Sequence, residues 1–227
     1  LGRMDGKPDY RLAFTCRHHS CESVANYVLE GLMESVLADD ATGKWFRQHA
    51  AVIAVPFVDK DGVEAGDQGK NRKPHDHNRD YLGEPIHPTV AAIKRLFPAW
   101  AGARLDVTLD LHCPSLNDQW FQFIGGPEEE IWRRTVRLSQ TLAEVQRGPL
   151  RHDPKHDMPF GVGWNKGGGL RGATFGAWAR SLPQTYVGSS IEMPYAQVAG
   201  VPVTADAART MGRDLAAALK KFLESPR

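Results

Sequence analysis

Apolar positions recur along this chain with two periods, and the two alternate in a regular order. Residues 11–19 carry the apolar, β-leaning run Arg11-Leu12-Ala13-Phe14-Thr15-Cys16 and predict a strand. Over residues 21–39, Val24, Tyr27, Val28, Leu32, Val36 and Leu37 fall at helical spacing, and Gly43–His49 suggests a short second helix. Ala50–Val58 is continuously apolar, as in a strand covered on both faces. Pro88–Trp100 predicts a helix with Val90, Ile93, Leu96 and Phe97 on one side, and Leu105–His112 a strand that ends in polar residues. Glu128–Val145 predicts a long helix whose first turn holds three glutamates, where they favour the macrodipole. A short helix over 173–181, a strand over Gln184–Met193 and a last helix from a Thr204 cap to about Leu223 complete the pattern. Strands alternating with helices predict a three-layer α/β fold with a mostly parallel sheet covered on both faces. Two stretches break the rhythm, Asp59–His87 and residues 147–172, and a polar connection as long as the first is usually functional or disordered.

Composition narrows the picture. A chain of 227 residues that is 41% hydrophobic can bury one sizeable core, and no linker or repeat divides it, so residues 1–227 are expected to form a single domain. The 28 basic and 27 acidic residues leave a formal charge of +1, so no overall field points to nucleic acid or an anionic membrane. No apolar run approaches the roughly 18 residues needed to span a bilayer. The opening Leu1-Gly2-Arg3-Met4 reads as the interior of a longer product, so the lack of a leader says nothing about location. Cys16, Cys21 and Cys113 are too few for a disulfide framework and are expected to be small buried fillers.

The chemistry-bearing residues gather where parallel strands end, which is where open α/β sheets place their sites. His19 and Glu22 sit three apart at the first strand-to-helix junction, a spacing that turns both side chains toward one point and favours His19 over its neighbour His18. His112 ends the strand Leu109-Asp110-Leu111-His112. Two histidines and a glutamate form a three-ligand set with a fourth position open for water, the layout of catalytic zinc. Glu192, at the end of an apolar strand, is costly there unless paired or used, and beside such a metal it can serve as a general base. In the polar loop, Asn78-Arg79 offers an amide and a planar fork suited to a carboxylate.

Taken together, His19-x-x-Glu22, Asp59-Lys60-Asp61-Gly62, Asn78-Arg79, Leu109-Asp110-Leu111-His112 and Ile191-Glu192-Met193-Pro194 resemble the zinc metallocarboxypeptidase family in order and spacing, most closely its cytosolic and bacterial branches. The resemblance spans about residues 11 to 196 and implies an α/β/α sandwich around a mixed eight-stranded sheet, here with the opening hairpin shortened or missing. It implies one zinc ion per chain held by His19, Glu22 and His112, Glu192 as the catalytic glutamate, and Asn78 and Arg79 on the substrate's terminal carboxylate. The substrate would be a peptide, or an N-acyl amino acid if the chain is a deacylase, amidase or cell-wall peptide hydrolase of the same fold. A non-catalytic binding module is a third reading, against which the intact His19, Glu22, His112 and Glu192 argue.

Two departures stand out. The family has a further arginine, on the oxyanion, between the Asp-Gly element and the Asn-Arg pair, and ungapped alignment puts Gly69 there. Of the nearest cations, Lys70 and Arg72, the fork of Arg72 is the better expected replacement. The family's mobile tyrosine also has no counterpart, since no Tyr lies between residues 164 and 185 and Tyr186 is too close to Glu192 on the same strand. The run Gly167-Gly168-Gly169 with Arg171 is a candidate pocket rim, and the resemblance places side-chain specificity within Gly169–Trp178.

Overall fold

The structure is a computed structural model that describes residues 1–166 and 173–226. Its main sheet holds β1 (Tyr10–Cys16), β2 (Ala50–Val55), β3 (Leu105–His112), β4 (Gln122–Ile124) and β5 (Thr185–Glu192), in the spatial order β2-β1-β3-β5-β4. The first four in that order run parallel and only β4 is antiparallel, against β5. Register follows the side-chain alternation: Leu12, Phe14 and Cys16 enter one core and Ala13 the other. All eight residues of β3 are buried, including Asp106, Thr108 and Asp110. Cys16 pairs with Leu111, and His112 pairs with Glu192, so β1, β3 and β5 deliver their last residues to one edge.

Helices cover both faces. One core joins the sheet to α1 (Ser23–Leu37), α2 (Ala41–His49), α5 (Glu129–Val145) and α7 (Ala205–Glu224). The opposite core joins it to α4 (Pro88–Ala101) and α6 (Phe175–Ser181), through Phe97, Phe175 and Tyr81. The mixed, mostly parallel α/β architecture read from the sequence is therefore present, with five strands in the main sheet among the described residues rather than the eight that the resemblance implies. Among the described residues no helix is long and apolar enough to cross a membrane.

α1 and α7 pack backbone to backbone through a reciprocal pair of glycines. A Cβ on Gly31 would stand 1.9 Å from the Arg209 carbonyl oxygen, and one on Gly212 would stand 2.0 Å from that of Val28. Replacing a helical glycine by alanine ordinarily gains about 1 kcal/mol of propensity, but here neither backbone can yield. Gly212→Ala is expected to destabilise by about 1–3 kcal/mol, at roughly 2–4 °C of melting temperature per kcal/mol for a chain this size. Thermal denaturation checks this, and an unchanged or raised midpoint would contradict the packing.

Three local features differ from the pattern. The Ala50–Val58 run stops at Val55, where Pro56 withdraws a donor, and β2 is an edge strand of the described sheet with its last three residues only half-buried. The polar stretch contains α3 (Lys60–Ala65), started by the Asp59 carboxylate accepting from the Gly62 N–H and stopped by left-handed Gly66. Short pairings escaped the periodicity: β4, and the two-stranded ribbon of β6 (Gln197–Val198) with β7 (Val201–Pro202).

Candidate metal centre

The centre begins with a strained turn. β1 ends at Cys16, three residues before the expected boundary, because Arg17 adopts a left-handed backbone, φ 59°, that is uncommon for a residue with a side chain. Its own side chain holds the turn: the guanidinium donates to the Ser20 carbonyl and to Asn26 Oδ1. The Arg17 carbonyl in turn accepts from the Asp59 N–H. Gly69, φ 86°, lies against the same turn, and a Cβ there would come within 2.5 Å of the Ser20 nitrogen. The turn carries His18 and His19, and Glu22 stands at the N-cap of α1.

His19, Glu22 and His112 converge. His19 Nδ1 is 2.9 Å from Glu22 Oε1, and His112 Nδ1 is 2.8 Å from Glu22 Oε2. One ligand atom from each of the three residues lies within 4.8 Å of the others. Behind each histidine is a second carboxylate. His112 Nε2 is 2.5 Å from Asp110 Oδ2, and His19 Nε2 is 3.5 Å from Asp76 Oδ1. The Asp110 contact fixes the tautomer of His112, leaving its Nδ1 with the lone pair that a metal needs, while Asp76 Oδ1 stands behind His19 without a hydrogen bond. The donor set, two imidazole nitrogens and a carboxylate with acidic backing, suits zinc. Burial alone would raise the Glu22 carboxyl, but His112 and His19 hold it well below the usual carboxylate range.

His18 faces elsewhere. Its Nδ1 is 2.8 Å from Asp110 Oδ1 and its Nε2 is 2.8 Å from the Tyr81 hydroxyl, so both ring nitrogens are engaged in the fully buried interior. His18, Asp110 and His112 also form a compact metal-capable group, but His18 and Asp110 line neither of the two cavities at the centre. Asp110 also accepts from Thr15 Oγ1, which makes it the buried post on which His18 and His112 are mounted. Asp110 enters the sequence reading only as part of Leu109-Asp110-Leu111-His112, and Asp76 is given no role in it. Period-two spacing from His112 was the available signal for Asp110.

Two cavities meet over the three side chains. The larger, about 550 Å³, is lined by His19, Asn78, Arg79, His112, Arg180 and Glu192 among others. The second, about 510 Å³, adds Glu22, Lys70 and Asp76. Enclosure by the surrounding protein pushes the Glu192 carboxyl up to about 7, with Glu22 adding to the rise and His112, Lys70 and His19 opposing it. Asn78 is buried, its Oδ1 accepting from the Phe175 N–H at 2.9 Å and its Nδ2 3.2 Å from His112 Nε2. Arg79 lines both cavities.

The expectation for Arg72 needs correction. Its Nε donates to Asp59 Oδ2 at 2.8 Å and its Nη2 bridges Asp59 and Asp67 at 2.7 and 3.1 Å, and it lines neither cavity. Lys70 is the cation at the centre: its Nζ is 2.9 Å from Glu22 Oε1 and donates to the Cys113 carbonyl at 3.2 Å. No tyrosine is among the described residues lining either cavity, whereas Trp164 lines both. Gly167–Gly169 and Arg171, and with them part of the Gly169–Trp178 window, lie outside the described residues.

No family model matches the chain. Cytosolic carboxypeptidase 4 of the mouse, Mus musculus, is 28% identical over 137 residues, a span that is 58% of this chain and only 12% of that protein. The metallo-carboxypeptidase of Burkholderia cenocepacia superposes with a TM-score of 0.78 at 17% identity, over 99% of this chain and 60% of that one. The succinylglutamate desuccinylase of Chromobacterium violaceum superposes with a TM-score of 0.62 at 16% identity, over 98% of this chain and 63% of that one. The fold is therefore that of the metallo-carboxypeptidases, and the resemblance carried by the motifs extends to the local sequence and to the backbone as a whole.

Proposed function

We propose that this chain is a zinc-dependent metallocarboxypeptidase that hydrolyses the C-terminal peptide bond of its substrate, with residues 1–227 acting as one catalytic domain. The observation that carries the reading is the convergence of His19, Glu22 and His112 where two cavities meet, both of them lined by Glu192 and Arg79. One zinc ion held by those three ligands would supply a Lewis acid that lowers the pKa of water to about 7 and polarises the scissile carbonyl. Glu192 accepts the proton of the attacking water and passes it to the leaving amine nitrogen. Arg79 forks the terminal carboxylate, with the Asn78 amide beside it. Lys70 faces the charge that develops on the carbonyl oxygen.

The larger cavity also suggests the side chain it takes. Arg180 reaches it from α6, its Nε held by Glu128 Oε2 at 2.8 Å, its Nη1 where a Cβ on Gly176 would be 3.3 Å away. Lys166 lines the same cavity. Two cations beyond Arg79 favour an acidic C-terminal residue. Arg180→Ala is expected to lower kcat/KM for substrates ending in Glu by roughly 10–150-fold, the worth of a hydrogen bond to a charged group, with little change for those ending in Ala. Metal analysis and turnover of a C-terminal dipeptide library test both levels. Zinc-loaded protein that cleaves none of them would overturn the peptidase assignment, and an unaltered Glu-to-Ala ratio in the variant would overturn the role of Arg180.

The second reading keeps zinc and changes the bond to an N-acyl amide. It is favoured by the shared fold of the desuccinylase and by the lack of a cavity-lining tyrosine among the described residues. N-acyl amino acids and muropeptides assayed beside peptides separate the two.

A further inference from the structure

The polar loop that supplies Asn78 and Arg79 contains a second histidine and carboxylate cluster, which the hydrolytic reading does not use. His75, Asp80 and His87 each place one ligand atom within 4.8 Å of the other two. His75 Nε2 is 2.7 Å from Asp80 Oδ1, a separation like the 2.8 and 2.9 Å between Glu22 and its two histidines. Asp80 is buried and rigidly held: Oδ1 accepts from the Ile86 N–H at 3.1 Å and Oδ2 from the His87 N–H at 2.8 Å. Such backing is what ligating carboxylates ordinarily have.

The state of His87 is set by its neighbours. Its Nε2 lies 3.2 Å from the His75 carbonyl oxygen, which can only accept, so Nε2 carries the proton and Nδ1 the lone pair of the neutral ring. The ring itself is stacked on His77 at 3.8 Å between centroids. His77 is buried, and its Nδ1 has no hydrogen-bond partner, although Asp59 Oδ2 is 3.8 Å away. Two imidazoles and a carboxylate suit a divalent transition ion, and His75 is open enough, 23% exposed at its side chain, to admit one from solvent.

We propose that His75, Asp80 and His87 form a second metal site, for zinc or a similar divalent transition ion, distinct from the His19, Glu22 and His112 centre. It takes three protein ligands and leaves a fourth position to water. Its role is structural: it clips together residues 75 to 87, the loop segment that carries Asp76 behind His19 and the Asn78-Arg79 pair. Closing that segment holds the substrate end of the cavity in place independently of the first centre.

The metal-stripped protein titrated calorimetrically with Zn²⁺ tests this directly. The expected stoichiometry is two ions per chain for the unaltered protein, one for His75→Ala and one for His87→Ala. His112→Ala, which touches only the first centre, is expected to keep one ion, so a failure of the hydrolytic reading and a failure of this one are separable. The more conservative His75→Gln, at an open position, replaces either alanine variant that does not fold by circular dichroism. Limited proteolysis within residues 75–87 is expected to slow when the His112→Ala protein is given Zn²⁺. A single ion in the unaltered protein that His112→Ala abolishes, or two that survive both alanine substitutions, would overturn the site.

Discussion

Glu192→Gln is expected to keep the fold and one zinc at the first centre while losing about 10²–10⁴-fold in kcat, the range that a positioned general acid–base supplies. Glutamine has the same shape and reaches the same cavity wall, but it cannot take a proton from water or return one to the leaving nitrogen. Stability supplies a control. Burial raises the Glu192 carboxyl to about 7 in the metal-free protein, above its value in the unfolded chain. A raised carboxyl pKa means that ionising the group favours unfolding, so stability falls as pH climbs from the ordinary glutamate range through about 7. The glutamine variant lacks that loss, and without metal at pH 8 it is expected to melt at or above the parent. Steady-state kinetics, metal analysis and thermal melts make the comparison. A variant with parental kcat would remove Glu192 from the mechanism, and one that is inactive because it is unfolded would make the residue structural instead.

The strands that carry His112 and Glu192 could be read from the chain because their alternation is strong and their ends are abruptly polar. The spacing to Glu22 favours His19 over His18, and in the structure His18 has both nitrogens engaged with Asp110 and Tyr81. The carboxylates behind the ligands were harder. Asp110 lies in a strand that alternates apolar residues with Asp106 and Thr108, and Asp76 in a loop crowded with other charged and polar residues, and neither pattern announces a partner until β1 and β3 are placed side by side. α3 was missed because its six residues hold a single large apolar side chain, Val63, too few to show a helical period, although its Asp59 cap and Gly66 stop were both present. The placement of Arg72 could not be read for a related reason. The chemistry of a guanidinium fork is legible in a sequence, but Asp59 and Asp67 claiming that fork is a matter of tertiary placement.

On the proposed mechanism Lys70 takes the role expected of Arg72, and the two residues give opposite predictions. The position where the family's arginine would align is Gly69, and the backbone there leaves no room for any side chain: φ is 86° and an added Cβ would meet the Ser20 nitrogen at 2.5 Å. A chain pressed that closely to the His19 turn brings the next residue to Glu22, where the Lys70 ammonium sits 2.9 Å from Oε1. Burial would lower the Lys70 pKa, but Glu22 more than offsets it and keeps the side chain charged. Losing one oxyanion donor costs on the order of 2.7–4 kcal/mol, or about 10²–10³ in kcat. Lys70→Ala is expected to show that loss, and Lys70→Arg to recover part of it, because a planar fork keeps the charge but not the point geometry of the ammonium. Arg72→Ala is expected to leave kcat within a few-fold and to lower thermal stability instead, since it uncovers the buried Asp59 carboxylate that caps α3. Kinetics and melting of the three variants decide it. If Arg72→Ala takes the hundredfold loss and Lys70→Ala leaves kcat unchanged, the arginine must swing away from Asp59 on substrate binding, and Lys70 would be no more than a counter-ion for Glu22.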